Sequence, residues 1–197
     1  MEFMSMRLFF LLLILVFLAA CHTPQVKRGS EDPSIDRSAL TTGIDMEDWR
    51  YTISEMLKSM KDYPFFSQAR VGEKKTVAVS DFMNDSASHV ETGFLRELVE
   101  EEFMKFGCFR LLEEKKRGDL LKSLMTQQVT DFFDSSTVAQ MGKQLGIQYF
   151  VQGKVVGHKE RGYDAIRTQY LVVIEVVDVS TAEKVFKKNV PVSKQLK

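Results

Sequence analysis

Four groupings in this sequence bring together side chains capable of chemistry. The most specific is Leu18-Ala19-Ala20-Cys21, where a thiol follows small residues at the end of an apolar run over residues 8–20. Small side chains before the cysteine let a signal peptidase approach the bond, and the thiol accepts a thioether-linked diacylglycerol. Asp81, Asp85 and His89 recur at four-residue intervals beside an expected strand end, where α/β folds place ligand sites. That pattern suggests a metal or an acid–base pair, but no second histidine or cysteine completes a transition-metal shell. Turn and helix-capping roles explain Asp81, Asn84, Asp85 and Ser88 without chemistry. His158 lies among Lys159, Glu160 and Arg161 between Gly157 and Gly162, a charged hairpin tip suited to solvent or partner contact. The run Gly142-Lys143-Gln144-Leu145-Gly146 closes a helix instead of opening one, so a phosphate cradle is excluded on context. No nucleophile elbow occurs. The expectation is a protein that is not an enzyme, with no catalytic residue, no metal and no cofactor.

Cys21 is therefore the residue whose chemistry matters most. The 13 residues of the apolar run are too few for a hydrocarbon core, which needs about 20, and suit a signal peptide. Arg7 is the only positive charge upstream and Glu2 opposes it; a start at Met6 instead of Met1 or Met4 removes the acid. An ordinary cleaved signal with an incidental cysteine, or an uncleaved anchor, is the alternative. His22 stands where inner-membrane-retained lipoproteins of enterobacterial type carry aspartate, which points to the outer membrane. The expected organisation is a lipoprotein signal peptide over residues 1–20, the lipidated cysteine and a tether over 21–44, and one globular domain over 45–197. As a coil the tether spans roughly 25–30 Å, and fully extended roughly 75–80 Å.

Composition narrows the function classes. The chain carries 27 basic and 27 acidic residues, and removal of residues 1–20 takes one of each. Nucleic-acid binding by phosphate neutralisation needs a basic excess and is not expected. Only Cys21 and Cys108 are present, so no disulfide scaffold exists. Cys108, between Phe106 and Phe109, reads as a small buried apolar residue rather than a reactive thiol.

The elements that would position these groups follow from periodicity. A helix is expected over residues 45–60, capped by Asp45, with Trp49, Ile53, Met56, Leu57 and Met60 on one face. Tyr63-Pro64-Phe65-Phe66 ends it and tucks its rings under the domain. Residues 75–82 read as a strand and Met83-Asn84-Asp85-Ser86 as a turn. A helix over 88–106 follows, with Val90, Phe94, Leu95, Leu98, Val99 and Phe103 inward, a solvated face of Glu97, Glu100, Glu101 and Glu102, and Gly107 as cap. Then come a strand over 108–112, a helix over 114–128 carrying Leu120, Leu121, Leu124 and Met125, and a helix over 136–145 ended by Gly146. Strands over 147–157, 165–179 and 184–190 complete a meander, the middle one apolar on both faces and so central and doubly covered. The fold class is α/β: a single-domain sandwich with a mixed four- to five-stranded sheet and helices on both faces.

Several segments together resemble a known family. Residues 77–86 (VAVSDFMNDS) resemble the strand and "N-x-S/T" opening of LpoB-type lipoprotein activators of penicillin-binding proteins. Residues 107–112 (GCFRLL), 124–128 (LMTQQ), 141–153 (MGKQLGIQYFVQG) and 178–183 (DVSTAE) resemble that family's second strand, glutamine-ended helix, "lGkqlGAdYvlxG" and "DxxTGE" segments. Gln148 and Ala182 replace the usual aspartate and glycine, and the tether here is short. The wider fold group takes in the curli-secretion lipoprotein, a flagellar lipoprotein family and the TolB amino-terminal domain, so the fold is expected to be TolB N-terminal-domain-like. The resemblance implies an outer-membrane-anchored, periplasm-facing protein that docks on a class A penicillin-binding protein and stimulates peptidoglycan synthesis. The contact is expected on the sheet's exposed face and nearby loops, with no small-molecule substrate and no nucleic acid. A structural subunit of an outer-membrane secretion or flagellar assembly is the alternative, and a hydrolase would place its activity on His89 or Asp85.

Overall fold

The computed structural model describes residues 41–127, 134–162 and 165–196; side chains at 121 and 123–127 are not described. The chain divides into Met1–Ser38 and Ala39–Lys197. Residues 1–40, including the expected signal, Cys21 and most of the tether, lie outside the described residues.

Helix α1 (Met46–Met60) begins where expected, because Asp45 accepts from the backbone N–H groups of Glu47 and Asp48 while Asp48 accepts from the Asp45 N–H. That reciprocal capping satisfies N–H groups left orphaned by the first turn. Pro64 then starts a short helix α2 (Pro64–Ala69), which buries Phe65 and Phe66. Strand β1 (Lys75–Val79), strand β2 (Met83–Asp85), helix α3 (Thr92–Lys105), strand β3 (Phe109–Leu111), helix α4 (Glu114–Gln127) and helix α5 (Ser135–Leu145) follow. Strands β4 (Tyr149–Arg161), β5 (Ile166–Asp178) and β6 (Glu183–Leu196) close the domain. Gly146 ends α5 at φ 69° and Gly107 follows α3 at φ 73°, the left-handed positions that glycine fills without strain.

The sheet runs β3-β1-β4-β5-β6, with β1 parallel to both neighbours and β4, β5 and β6 antiparallel. A sixth strand, β2, pairs with β4 where a turn was expected. Val79 sits opposite Val151 and Met83 opposite Lys154, so four steps on one side match three on the other. The extra residue is a bulge, and it exchanges the faces of the side chains that follow. Phe82 turns into the core there and its ring lies over Gly153.

Helices α1, α2 and α3 cover the first sheet face, burying Val77, Val79, Val151, Val172, Ile174, Phe186 and Val190. On the second face Leu120 of α4 and Val138 of α5 pack with Ala78, Phe150 and Val177. Leu121, Leu124 and Met125, expected inward, have side chains outside the described set. β5 is thus covered on both faces over its C-terminal half, but Leu171 remains 37% exposed, so the expected double covering stops short of the strand's start. Three boundaries also move. α3 starts at Thr92 and not residue 88, because Asn84 Nδ2 donates to the Ser88 carbonyl at 2.8 Å and Ser88 Oγ meets Tyr170 Oη at 3.0 Å, wiring that segment as a loop. β4 continues to Arg161 and β6 to Leu196, because both strands keep pairing with β5 through charged sequence.

Two substitutions test this account. A Cβ added at Gly153 would lie 2.2 Å from Phe82 Cε1, so Gly153→Ala is expected to cost about 1–3 kcal/mol in urea unfolding. Phe82→Leu in the same chain should recover part of that loss. Ala182, in the β5–β6 turn, has φ 63°, a conformation that costs an L-residue about 1 kcal/mol. Ala182→Gly is expected to raise stability by about 0.5 kcal/mol, and an unchanged or lower denaturation midpoint would contradict the strain.

Candidate functional site

The residues singled out for chemistry do not converge. Asp81 follows β1 and faces Arg96 Nε at 3.4 Å and Arg117 Nη1 at 3.9 Å. Asp85 is exposed on β2, and His89 pairs with its neighbour Glu91 at 2.6 Å. Among the described residues no group of three His, Cys, Asp or Glu side chains is placed to hold a metal. His158 is on the β4 ladder rather than at a loose tip, exposed and 3.7 Å from Glu160, whose carboxyl Arg167 holds below its usual range. Gly142 packs under Ile147 and Val179 as the close of α5. Cys108 is half-buried against the first-face core, and burial pushes its thiol up.

One expected solvated residue is not solvated. Glu100 on α3 keeps only 22% of its side chain exposed and lies near Arg117, itself 9% exposed. Burial raises the Glu100 carboxyl above its usual range despite the nearby Arg96 and Arg117 guanidinium groups. The network of Asp81, Arg96, Glu100, Arg117 and Glu114 ties α3 and α4 to the end of β1.

Two further charged clusters escaped the pattern reading. Lys194 on β6 reaches back to α1, its Nζ 2.9 Å from the Gly43 carbonyl and 2.6 Å from Asp48 Oδ2, with Asp45 a third partner. These acids outweigh burial and raise the Lys194 ammonium above its ordinary value. This clasp fixes the point where the chain enters the domain. The second cluster is on the second sheet face. Glu175, 1% exposed, is held by Lys184 Nζ at 2.9 Å and Lys187 Nζ at 2.8 Å, with Gln152 Nε2 at 3.5 Å. Burial pushes the Glu175 carboxyl up, but the two ammonium groups outweigh it and bring it below the usual range. Its signal in the sequence was a single acid inside the apolar run of β5.

Register places the rest of that face. Met83, Lys154, Val173 and Asn189 make one row across β2, β4, β5 and β6, and Asp85, Val156, Leu171 and Pro191 make the next. Met83 and Leu171 are each 37% exposed, and Asn189 and Pro191 are exposed. The face therefore carries apolar surface beside a lysine-clamped carboxylate. Among the described residues, Asp85 and Lys154 are the charged members of these two rows.

Over residues 48–192 the sequence matches the family described as peptidoglycan-synthase activator LpoB. The chain belongs to that family. The LpoB family is thus described as one of activators, which regulate a synthase. Among solved structures, the LpoB C-terminal domain from Salmonella enterica is similar at 15% identity and TM-score 0.52, over 74% of this chain and 98% of that one. The corresponding domain from Escherichia coli gives 15% identity and TM-score 0.52, over 75% and 99%. The NMR structure of E. coli LpoB gives 13% identity and TM-score 0.50, over 90% and 85%. At these identities the likeness is one of fold, and the mixed sheet with helices on both faces is the LpoB C-terminal domain fold. No curated protein matches this chain significantly.

The Glu175 clamp makes a pH-dependent prediction. A carboxyl whose folded pKa is depressed contributes stability above its unfolded pKa and loses it as pH falls through the folded value. Glu175→Gln is expected to lower stability by about 1–2 kcal/mol at neutral pH. The gap from the unaltered protein should narrow as pH drops below the ordinary carboxylate range, and a pH-independent gap in denaturation titrations would contradict the clamp.

Proposed function

We propose that this chain is a lipoprotein anchored through Cys21 in the outer membrane, whose domain faces the periplasm and docks on a class A penicillin-binding protein. Docking stimulates glycan polymerisation and cross-linking, and the chain performs no catalysis of its own. The observation that carries this reading is the family match, which covers nearly the whole folded domain; the residues 18–21 read as a cleavage box lie upstream of it, across residues 22–47. Asp81 and His89 are engaged in separate pairs, with Arg96 and Glu91 respectively, and Asp85 is exposed on β2, which fits a role through binding. Among the described residues no helix is long and apolar enough to cross a membrane; the membrane attachment in this reading is the lipid at Cys21.

Stimulation by docking has a thermodynamic requirement. The activator must bind the working conformation of the synthase more tightly than the resting one, since a ligand with equal affinity for both shifts nothing. A tenfold stimulation by population shift needs about 1.4 kcal/mol of differential affinity, which a small surface can supply.

Two measurements test the reading. Soluble residues 45–197 added to a purified class A penicillin-binding protein from the same cells should raise glycan-chain synthesis several-fold. Unchanged rates together with no co-purification would sink the activator role. Separately, Cys21→Ala should move the protein from the membrane to the soluble fraction and abolish labelling by palmitate; retention of either would remove the anchor.

A further inference from the structure

Where the domain meets its partner can be argued from the second sheet face. We infer that the part of this face centred on Leu171, Met83 and the Lys184–Glu175–Lys187 clamp is the docking surface, and that it receives an acidic, apolar-centred protein surface. This rests on the activator reading, whose partner is a class A penicillin-binding protein, and adds which surface is used and what chemistry it selects.

Apolar surface is the first argument. Leu171 and Met83 are each 37% exposed, in adjacent rows of rigid strands, with Pro191 exposed beside Leu171 on β6. Large apolar side chains held on a strand ladder contact a partner at low entropic cost, because their backbone is already fixed. Charge is the second. One carboxylate at Glu175 is shared by two ammonium groups, those of Lys184 and Lys187, so the clamp carries one positive charge in excess. Both lysine heads are about half exposed, and the covered carboxylate holds them in place beside the apolar patch. Elsewhere in these rows Lys154 and Asp85 carry opposite charges, so the excess stays positive by one. The groove between α1 and α3 is the rival site, with a volume of about 520 Å³. Its rim sets Arg50 and Lys105 against Glu101 and Glu102, and Lys105 is already paired with both acids. That rim has no charge excess to select a partner.

The test changes the sign of the surface without breaking the clamp. Asn189, exposed on β6 in the row of Met83 and Val173, becomes Asn189→Glu in one variant and Asn189→Lys in another. Leu171→Asp removes the apolar centre, and Lys58→Glu on α1, a larger change of the same sign, serves as a control on the opposite face. Binding of each full domain to the purified synthase is measured at two salt concentrations, with thermal melts to confirm folding. Leu171→Asp should weaken binding about tenfold or more. Asn189→Glu should weaken it and Asn189→Lys strengthen it, each several-fold and less so at high salt, while Lys58→Glu has no effect. Binding by the unaltered domain with all patch variants unchanged overturns the surface and leaves the activator reading standing. Equal losses in both Asn189 variants overturn the acidic character of the partner. No binding by the unaltered domain overturns both readings. Capture by vesicles containing an anionic lipid, lost in Asn189→Glu while synthase binding is unaffected, assigns the face to a membrane and overturns the proposal.

Discussion

The seating of Phe82 on Gly153 is the contact on which the arrangement of the second sheet face depends. A side chain at Gly153 would occupy the space of the ring, so the bulge between β1 and β2 exists because β4 offers bare backbone there. The bulge has three consequences. It turns Asp81 away from the ladder toward Arg96 and Arg117, so this acid ties helices together. It shifts the strand parity, so Met83 and Asp85 face the second side of the sheet, where continued alternation from Ala78 would have set Asn84. It also delivers residues 84–88 to Gly157, where a second bare stretch of β4 admits Ser86 and lets Ser88 reach Tyr170. Two glycines on one strand thereby decide which residues form the contact surface.

Elements with a local cause were legible in the sequence. α1 has its capping box and apolar stripe, α5 has its αL glycine, and β5 has an apolar run broken only by Glu175; each states its geometry within a dozen residues. The β2 strand was not legible, because Asn84 and Ser86 do form turn-like bonds and only pairing with β4, some 70 residues later, makes a strand of them. Long-range electrostatics were equally hidden. Lys194 and Asp45 are 149 positions apart, and nothing near either residue announces the other. Glu100 read as solvated because three other acids surround it in sequence, yet α4 brings Arg117 against that one side of α3. The expected contact on an exposed sheet face is narrowed in our proposal to the rows of Met83 and Leu171, which the register places side by side.

Zero net charge also concealed an arrangement. The acids of α3 and the start of α4 crowd one side of the fold, whereas β6 supplies lysines with little acid after Glu183. Sequence order produces this separation, since α3 packs against β3 and β1 whereas β6 forms the opposite edge of the sheet. Balanced totals exclude nucleic-acid binding by bulk charge, but they leave room for a locally basic strand that selects an acidic partner. Composition bounds a function class; topology decides where the charges go.

The extent of the contact surface sets the kind of binding it can support. Four strands spaced about 4.8 Å apart and some eight residues of length give a face of roughly 15–20 by 25 Å. That is about 400–500 Å² on this partner, below the roughly 800 Å² of a standard stable interface. Contact of that size is weak in free solution. In the proposed anchoring through Cys21, the short tether would change the arithmetic, because it would confine the domain to a thin layer and raise its effective concentration toward the millimolar range for partners within reach. A weak, reversible contact then suffices for occupancy. Under that proposal stimulation would also follow the local position of the synthase, since a partner beyond the tether's extended length would not be engaged at all. A short tether and a small face would then be consistent with each other: confinement would supply the occupancy that area does not.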